Sequence, residues 1–514
     1  MKSWGEEKVR EVGKAIVIIV IFSVLLFAGT QQADYVHQYI VREAWKLAKY
    51  QVPDLEFTDL SEHIGNNETG NYPWETGLVV TGAYREDHED PVYGYGGFDL
   101  FGAIDPIFVT MTHFWNADHG DNFKWNYLGS DWENHYQKAR AYLYGDHSIF
   151  IFKKSWAVDY QQVILGRFIR YVDLFHFYNT GKFYNNGYIS VDGDIHYRES
   201  SELTAMDTVT ARKYAYEILG RLCHLLGDAG TPAHAHNDDH VFGDSYESYM
   251  KDSYSGWNYE DALRSGGIFF NIFQFDYPLR FLFYTTNQVA DYFPSDDKAG
   301  DNAVTYFYDG DYYAELEEII SSLGEPPTAV NPSQIADVAF VYTIRATATL
   351  LYWFAVETGQ IPRINQILSG DTTLTDDIEV SDGSAILVST DAILNLNGHR
   401  IISDGGIVIS DGAVIDPDIR LLSSNGMLIG LYPDVVSALD DALPGQVVEL
   451  RKFDFGRDVY VASGKTLRIW SGATINLNGH VVKSTGGTII VEFGADINPD
   501  IRLVCGSSAA FRGM

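Results

Sequence analysis

The sequence contains little cysteine and little positive charge. Its 514 residues include two cysteines, Cys223 and Cys505, which lie in different halves of the chain, so no disulfide framework is expected. Lysine and arginine number 36 against 70 aspartates and glutamates, and the formal net charge of -34 is spread over the whole sequence. This balance excludes an extended nucleic-acid surface, although a small phosphate substrate held by metal ions is compatible with it.

The N-terminal apolar run is also short. It reads AIVIIVIFSVLLFAG, which is less than the ~20 residues that a membrane-spanning helix needs. Lysine and arginine precede it, and small residues follow it, which predicts a signal peptide over residues 1–33. An uncleaved N-terminal membrane anchor is the alternative. We therefore expect a secreted, extracellular protein, or one anchored to the membrane if the segment is not cleaved.

Hydrophobic residues, in contrast, make up 46% of the chain, which excludes a disordered protein, and the length favours more than one domain. Helical periodicity dominates residues 34–360, and residues 361–375 are predicted to be a linker. Over residues 376–514, β-branched residues alternate between turns of glycine, aspartate and asparagine, which predicts strands. The predicted fold class is therefore mainly α, with an all-α domain followed by a small all-β domain.

The β domain contains an internal repeat. The segment AILNLNGHRIISDGGIVISDGAVIDPDIRLL, from Ala392, recurs as ATINLNGHVVKSTGGTIIVEFGADINPDIRLV, from Ala473. Short strands at regular spacing predict a β-solenoid, with a β-sandwich as the alternative. His399 and His480 occupy the same place in the two copies, so we expect them to serve the fold.

Histidine and carboxylate residues are concentrated in residues 224–247, HLLGDAGTPAHAHNDDHVFGDSYE. His224 and Asp228 are four residues apart, so both project from one face of the helix predicted over residues 205–227. That helix should end at Pro232, which cannot donate a backbone hydrogen bond. Further imidazole and carboxylate groups follow it, at His234, His236, Asp238, His240, Asp244 and Glu247. Together they predict a zinc site.

The order of these residues with three upstream residues, His37, Asp87 and His113, resembles that of the bacterial zinc-dependent phospholipase C family, whose fold the single-strand-specific zinc nucleases share. The matching segments cover roughly the N-terminal two-thirds of the chain, and they read YVHQYIVREAW, EDHEDP, THFWNAD and YEILGRLCHLLGDAGTPAHAHND. The last segment is the specific one.

The resemblance implies an all-α bundle that holds two or three zinc ions. The first ion would be bound by four residues, Asp87, His113, His224 and Asp228. His234 would bind the second, together with His240 and either Glu247 or Asp244. His37 would bind the third, with Asp228 as a bridge. In the family a terminal tryptophan completes that third site, but no tryptophan lies between the apolar run and His37 here.

The activity that the resemblance implies is hydrolysis of a phosphodiester bond in a glycerophospholipid, at a membrane surface, by a zinc-activated water. Asp87 would orient or deprotonate that water. A zinc-dependent single-strand nuclease or nucleotidase is one alternative. The other is a binding protein with a structural metal site, whose β domain binds a cell-surface glycan or protein.

Overall fold

The structure is a computed structural model that describes most of the chain. The described residues are 34–66, 76–88, 90–92, 109, 111–127, 130–147, 149–152, 167–184, 190–191, 194–195, 204–238, 243–303 and 312–498. The predictions for residues 1–33, for His240 and for Cys505 lie outside them.

The chain divides into two compact units. The helical unit comprises Phe57–Gln360 with residues up to Ala48, and the β unit begins at Ile361 and includes Lys49–Glu56. Residues 49–56, which the sequence analysis assigned to the helical domain, therefore cluster with the β unit. The predicted linker over residues 361–375 is also wrong, because two strands occupy it. The first of these buries only its end residues, Ile364 and Leu368, and the exposed Ile367 between them breaks the apolar–polar alternation that would indicate a strand.

Helices dominate the chain up to residue 360. The α-helices are α1 (Asp34–Gln51), α2 (Asp59–His63), α3 (Val79–Arg85), α4 (His135–Tyr144), α5 (Leu174–Thr180), α6 (Thr208–Ala229), α7 (Pro232–Ala235), α8 (Ser245–Ser253), α9 (Tyr259–Arg264), α10 (Pro278–Asp291), α11 (Tyr312–Leu323), α12 (Pro332–Ile335) and α13 (Val341–Glu357). Short 3₁₀ helices lie at Pro53–Phe57, Ala117–His119, Tyr254–Gly256 and Phe270–Gln274, and a π-helical turn at Ala336–Phe340 joins α12 to α13.

Short strands lie between these helices in antiparallel pairs. They are β1 (Trp125–Tyr127), β2 (Ser130–Trp132), β3 (Ile149–Phe152), β4 (Arg167–Arg170), β5 (Lys182–Phe183), β6 (Ser190–Val191), β7 (Asp194–Ile195) and β8 (Thr204–Ala205). The pairs are β1 with β2, β3 with β4, β5 with β8 and β6 with β7.

Two glycines allow α3 to pack closely against α6. A Cβ atom on Gly82 would lie 1.9 Å from the carbonyl oxygen of Glu217, and one on Gly220 would lie 1.9 Å from that of Val79. Since no side chain fits in either gap, the two helices touch through their backbones. This contact brings the end of α3, just before Asp87, beside the part of α6 that carries His224.

An apolar helical stretch, Pro332–Glu357, precedes the β unit in the sequence and is formed by α12, the π turn and α13. Among the described residues it is the one helix whose length and composition would allow it to cross a membrane, and 89% of its most apolar window is buried inside the protein. Such burial is typical of a core helix.

The β unit is a solenoid of about six turns, as predicted. Its first stack contains β9 (Ile364–Leu368), β10 (Asp371–Thr373), β11 (Ile378–Val380), β12 (Ala385–Val388), β13 (Ile393–Asn395), β14 (Ile401–Ser403), β15 (Ile407–Ile409) and β16 (Val414–Asp416). Its second stack contains β19 (Val447–Asp454), β20 (Val459–Ala462), β21 (Thr466–Asn476), β22 (Val482–Thr485), β23 (Thr488–Val491) and β24 (Asp496–Asn498). Strands in successive turns pair in parallel within each stack.

Antiparallel strands and a helix connect the two stacks: β17 (Asp418–Leu422), β18 (Leu428–Leu431) and α14 (Val435–Asp441). Each stack encloses its own apolar core, with Ile386 and Leu394 in the first and Val448 and Leu467 in the second.

Equivalent asparagines in the repeat hold neighbouring turns together. Asn397 and Asn478 both have a φ of 47°, a left-handed conformation that asparagine tolerates better than most residues. The Asn397 amide donates to Leu374 O at 3.1 Å, and that of Asn478 donates to Phe455 O at 3.0 Å. The repeated asparagines therefore serve the solenoid fold.

Candidate metal centre

Helix α6 positions the central pair of the site. The Asp207 side chain caps its first turn by accepting from the backbone N–H of Thr210, and the helix runs without interruption to Ala229. His224 and Asp228 are one turn apart on it and are buried, at 0% and 2% exposure. Thr231 and Pro232 follow and begin the short helix α7, so the predicted helix end is close to the observed one.

The orientation of His224 is fixed by the backbone of α3. Its Nδ1 lies 2.7 Å from Ala83 O, and because a carbonyl oxygen only accepts, Nδ1 is the donor. Nε2 therefore faces Oδ1 of Asp87 and Oδ2 of Asp228, at 3.3 Å each. A hydrogen bond of this kind fixes the ring orientation of a metal-binding histidine.

Asp87 and His113 reach the same point from other parts of the chain. Asp87 follows the end of α3, and His113 lies in a buried turn before the 3₁₀ helix Ala117–His119. Nδ1 of His113 lies 3.1 Å from Oδ2 of Asp228 and 3.6 Å from Oδ1 of Asp87. The structure thus brings together the four residues expected at the first site.

The spacing of these groups fits a metal ion better than direct hydrogen bonds. Charge-assisted N–H···O bonds are about 2.7–2.9 Å long, whereas the contacts from His224 to Asp87 and Asp228 are 3.3 Å. Two ligand atoms about 2.0–2.1 Å from a tetrahedral zinc lie about 3.3 Å apart. Nε2 of His224 and Oδ2 of both Asp87 and Asp228 are buried without a hydrogen-bond partner. A cation bound between Nε2 of His224 and Oδ2 of Asp228, which are 3.3 Å apart, would satisfy both of these atoms.

Asp228 divides its oxygens between two groups of histidines. Oδ2 faces His113 and His224, whereas Oδ1 lies 3.5 Å from Nε2 of His37 and 3.6 Å from Nδ1 of His234. The ring of His37, on α1, stacks on that of His224 with centroids 3.8 Å apart. Asp228 therefore has the geometry of a bridging carboxylate.

The charges in the cluster are coupled. Burial would lower the pKa of His224, but Asp87 and Asp228 outweigh it and raise that pKa well above its ordinary value. Burial would raise the pKa of each of these two carboxyl groups, but the neighbouring histidines, His224 first, hold both pKa values well below the usual range. Burial and His224 lower the pKa of His37 to about 4, so that ring is neutral at neutral pH.

His234 and Glu247 form the second half of the site. Nδ1 of His234 is 3.0 Å from His113 O and donates to it, while Nε2 is 3.2 Å from Oε1 of Glu247. Asp244 instead caps α8, where its Oδ1 accepts from the backbone N–H groups of Tyr246 and Glu247. Of the two carboxylates left open by the sequence, Glu247 is therefore the one that faces His234.

His236 points away from the cluster. Its Nδ1 lies 3.0 Å from Oδ1 of Asp291 and its Nε2 2.8 Å from Phe293 O. Asp291 also belongs to a group of three carboxylates, with Asp118 and Asp301, whose oxygens lie close enough together to hold a cation. The ion pair with His236 already balances the charge of Asp291.

Burial raises the pKa of the Cys223 thiol, and Cys223 belongs to none of the potential metal-binding groups among the described residues.

A buried polar network that was not expected from the sequence lies behind the first site. Glu86, next to Asp87, is fully buried and contacts Lys138 at 2.5 Å and Arg221 at 2.7 Å. The sequence signal was available in part, because Arg221 lies in the apolar stretch LGRLCHLL, where a buried guanidinium requires an acidic partner. Lys138 lies in a helix of mixed composition and gave no such signal.

Comparison with known proteins adds little to this geometry. No family model matches the sequence, and no curated protein matches it. Among solved structures, the alpha-toxin of Clostridium perfringens from avian strain SWCP matches with a TM-score of 0.28 and 14% identity. The match covers 63% of this chain and 63% of the toxin chain, so this chain spans less than two thirds of the toxin's length. Such a distant match decides neither fold nor activity.

Fold and site together define a helical unit with a buried histidine–carboxylate centre, followed by a β-solenoid. Two overlapping groups in that centre, His37 with Asp87 and His224, and His113 with His224 and Asp228, could hold a metal ion.

Proposed function

We propose that the helical unit is a zinc-dependent phosphodiesterase that cleaves glycerophospholipids in the manner of a phospholipase C. The observation that carries this proposal is the convergence of four histidines on Asp228, which lies within 3.6 Å of all of them. They come from α1, from the turn at residue 113, from α6 and from α7. Nitrogen and carboxylate ligands in this number suit zinc.

Two or three ions are proposed. Asp87, His113, His224 and Asp228 would hold the first, and His234 with Glu247 would hold the second. His37 and Oδ1 of Asp228 would hold a third. When bound, zinc supplies an activated water and neutralises charge on the phosphoryl oxygens.

The protein's own groups then have separate tasks. Asp87, whose Oδ1 lies 3.3 Å from Nε2 of His224, would orient or deprotonate the water that zinc supplies. Glu247 is 30% exposed and faces His234, which places a carboxylate at the solvent side of the cluster. The hydrogen bonds from His224 and His234 to backbone carbonyls keep both rings in position.

Apolar side chains beside His234 support a lipid substrate. Phe114 stacks on the His234 ring, with centroids 4.7 Å apart, and also packs on Trp125. These two belong to a small apolar cluster with Met111, against which the partly buried Phe123 and Trp132 pack. Phe114, Trp125 and Met111 are buried, so the partly exposed Phe123 and Trp132 are the members of this cluster that would meet a substrate that joins a phosphodiester to hydrocarbon chains.

The test combines metal analysis with three substrates. Protein purified without chelators is assayed on phosphatidylcholine vesicles, on a bis-nitrophenyl phosphodiester and on single-stranded DNA, with Asp228→Asn as the matched variant. We expect at least two zinc ions per chain and release of phosphocholine, both lost in Asp228→Asn. Less than one ion per chain overturns the metal centre. Zinc without hydrolysis of any substrate overturns the enzyme, and hydrolysis of DNA alone establishes the nuclease alternative.

We also propose that the β unit binds a cell-surface glycan or protein, and that the chain is secreted. Ile393 and Val414 support the first proposal, because they are adjacent in register on β13 and β16 and are 52% and 45% exposed. The N-terminal apolar run supports the second. Binding of the full chain to whole cells, compared between wild type and a variant with both residues changed to serine, tests the first, and equal binding overturns it. N-terminal sequencing of exported protein tests the second, and its retention inside the cell overturns that proposal.

A further inference from the structure

Lys138 is a fully buried lysine that lies next to the metal centre without being part of it. Its side chain on α4 is 0% exposed, and its ammonium contacts three acceptors. These are Oε1 of Glu86 at 2.5 Å, Oδ2 of Asp90 at 3.2 Å and Oγ1 of Thr112 at 3.1 Å. Two of these contacts are ion pairs and the third is a hydrogen bond, so the charge of the buried ammonium is compensated.

The acceptors flank the proposed ligands of the first zinc. Glu86 immediately precedes Asp87, and Thr112 immediately precedes His113. Oγ1 of Thr112 also lies 2.8 Å from Oδ2 of Asp90 and 2.8 Å from Val109 O, and its single proton serves these two acceptors in turn. Lys138 thus joins two chain segments that are separate in sequence and that each carry one ligand.

Glu86 extends the connection to α6. Its Oε2 accepts from Arg221 and from Tyr142, at 2.7 Å each. Arg221 precedes His224 by three residues on the same helix. The two cations, Lys138 and Arg221, balance the two carboxylates, Glu86 and Asp90, so the network is close to neutral although it is buried.

We propose that Lys138 is a positioning residue for the metal centre: it sets the separation of Asp87 and His113 before an ion binds. This inference rests on the proposed function. Without Lys138, the segments around Asp87 and His113 would have to be ordered when the metal binds, which weakens binding. A purely structural role would affect folding and leave the metal affinity of the folded protein unchanged.

The variant that separates these roles is Lys138→Met with Asp90→Asn. It removes one buried charge of each sign and leaves Arg221 to balance Glu86. The matched control is Arg280→Met with Asp121→Asn. This pair is also buried, with its atoms 2.6 Å apart, and it makes the same change in charge. The side chains of this pair contact each other, and Asp121 also contacts Arg140 and accepts from Tyr284, neither of which is a proposed ligand.

Two measurements on the full chain test the proposal. Zinc affinity is measured by competition with a chromophoric chelator, and the geometry of the site by the visible spectrum of the cobalt-substituted protein. Circular dichroism establishes that each variant is folded. We expect the Lys138 variant to bind zinc about 10–100-fold more weakly, which is typical when groups supporting metal ligands are removed. Its cobalt spectrum should change, and the control should match wild type in both measurements.

Wild-type zinc affinity and an unchanged cobalt spectrum in the folded Lys138 variant would overturn the proposal. So would an equal loss of affinity in the control. If the double variant does not fold, Thr112→Val decides the question: it removes one of the three contacts at nearly constant volume, and unaltered affinity and spectrum overturn the proposal. If the wild-type protein itself binds no zinc, the proposed function fails first.

Discussion

Histidine–aspartate pairs occur in both units, and their settings differ. In the solenoid, His399 lies 3.4 Å from Asp377 and His480 lies 3.4 Å from Asp458, and each copy of the repeat contains one of these histidines. In the helical unit, Asp228 alone approaches four histidines at 3.1–3.6 Å. The solenoid histidines are about one third exposed, whereas the Asp228 side chain is 3% exposed. The distance within a pair therefore does not identify a metal centre, but convergence and burial do.

The largest expected effect is that of Asp228→Asn. An amide keeps the volume but loses the charge that both groups of histidines face, so we expect zinc binding and phosphodiester hydrolysis to fall. The fall should exceed about a hundredfold, the upper end for the loss of a supporting residue. Metal content and initial rates on phosphatidylcholine measure it.

Asp377→Asn is the matched control in the solenoid. It makes the same chemical change in an aspartate that contacts a histidine. The metal content and the rate of phosphodiester hydrolysis should both stay at the wild-type level. Equal losses in the two variants would contradict the contrast drawn between the pairs.

Gly227→Ala should damage the site next most strongly. A Cβ atom on Gly227 would lie 2.5 Å from Nδ1 of His37, so the imidazole must move away from Asp228. We expect the ion held by His37 to bind about tenfold more weakly, a loss within the range for residues that support metal ligands. Zinc stoichiometry against a graded series of chelators measures this loss.

Gly456→Ala in the solenoid is the control for that substitution. No heavy atom lies within 4 Å of a Cβ atom built there, and Gly456 is not among the residues with positive φ. It should leave all ions bound, and an unchanged stoichiometry in Gly227→Ala as well would show that the His37 ring is not needed.

The convergent cluster also predicts a pH dependence. Because Asp87 and Asp228 raise the pKa of His224, the metal-free site holds a proton at neutral pH that a cation must displace. Zinc affinity should therefore rise with pH, by about tenfold per unit while one proton is displaced. Competition titrations at pH 6, 7 and 8, corrected for the protonation of the chelator, measure the slope. A zinc affinity that does not change between pH 6 and 8 would contradict the displacement of a proton from His224 by the metal ion.

Much of the fold follows from sequence periodicity. Helix α6 was predicted from its apolar spacing and the proline after it, and the solenoid was predicted from the repeat beginning at Ala392 and Ala473. The first strand, Ile364–Leu368, was not, because two buried end residues give too short a pattern. The proximity of candidate ligands was predictable where they share a helix, as His224 and Asp228 do.

The remaining features of the site depend on tertiary contacts that leave no local pattern. The choice between Asp244 and Glu247 follows from where α8 begins: Asp244 caps the helix, and Glu247 turns toward His234. Lys138 and Glu86 are separated by 52 positions in the sequence and meet because α3 and α4 both pack against α6. Spacing in the sequence carries no information about such a meeting.

The smallest effect is expected for His480→Gln in the solenoid. The pair with Asp458 is about one third exposed, and exposed ion pairs contribute about 0–1 kcal/mol to the free energy of unfolding. Asn478→Ala, two positions earlier, should cost more, about 1–2 kcal/mol, since alanine disfavours a φ of 47° and the hydrogen bond to Phe455 O is lost. Urea unfolding of both variants measures the two losses in the free energy of unfolding. Phosphodiester hydrolysis should not change in either variant. A loss of activity in His480→Gln would mean that an exposed His–Asp pair of the solenoid contributes to catalysis. The convergence of several histidines on one carboxylate would then no longer distinguish the cluster around Asp228 from the solenoid pairs.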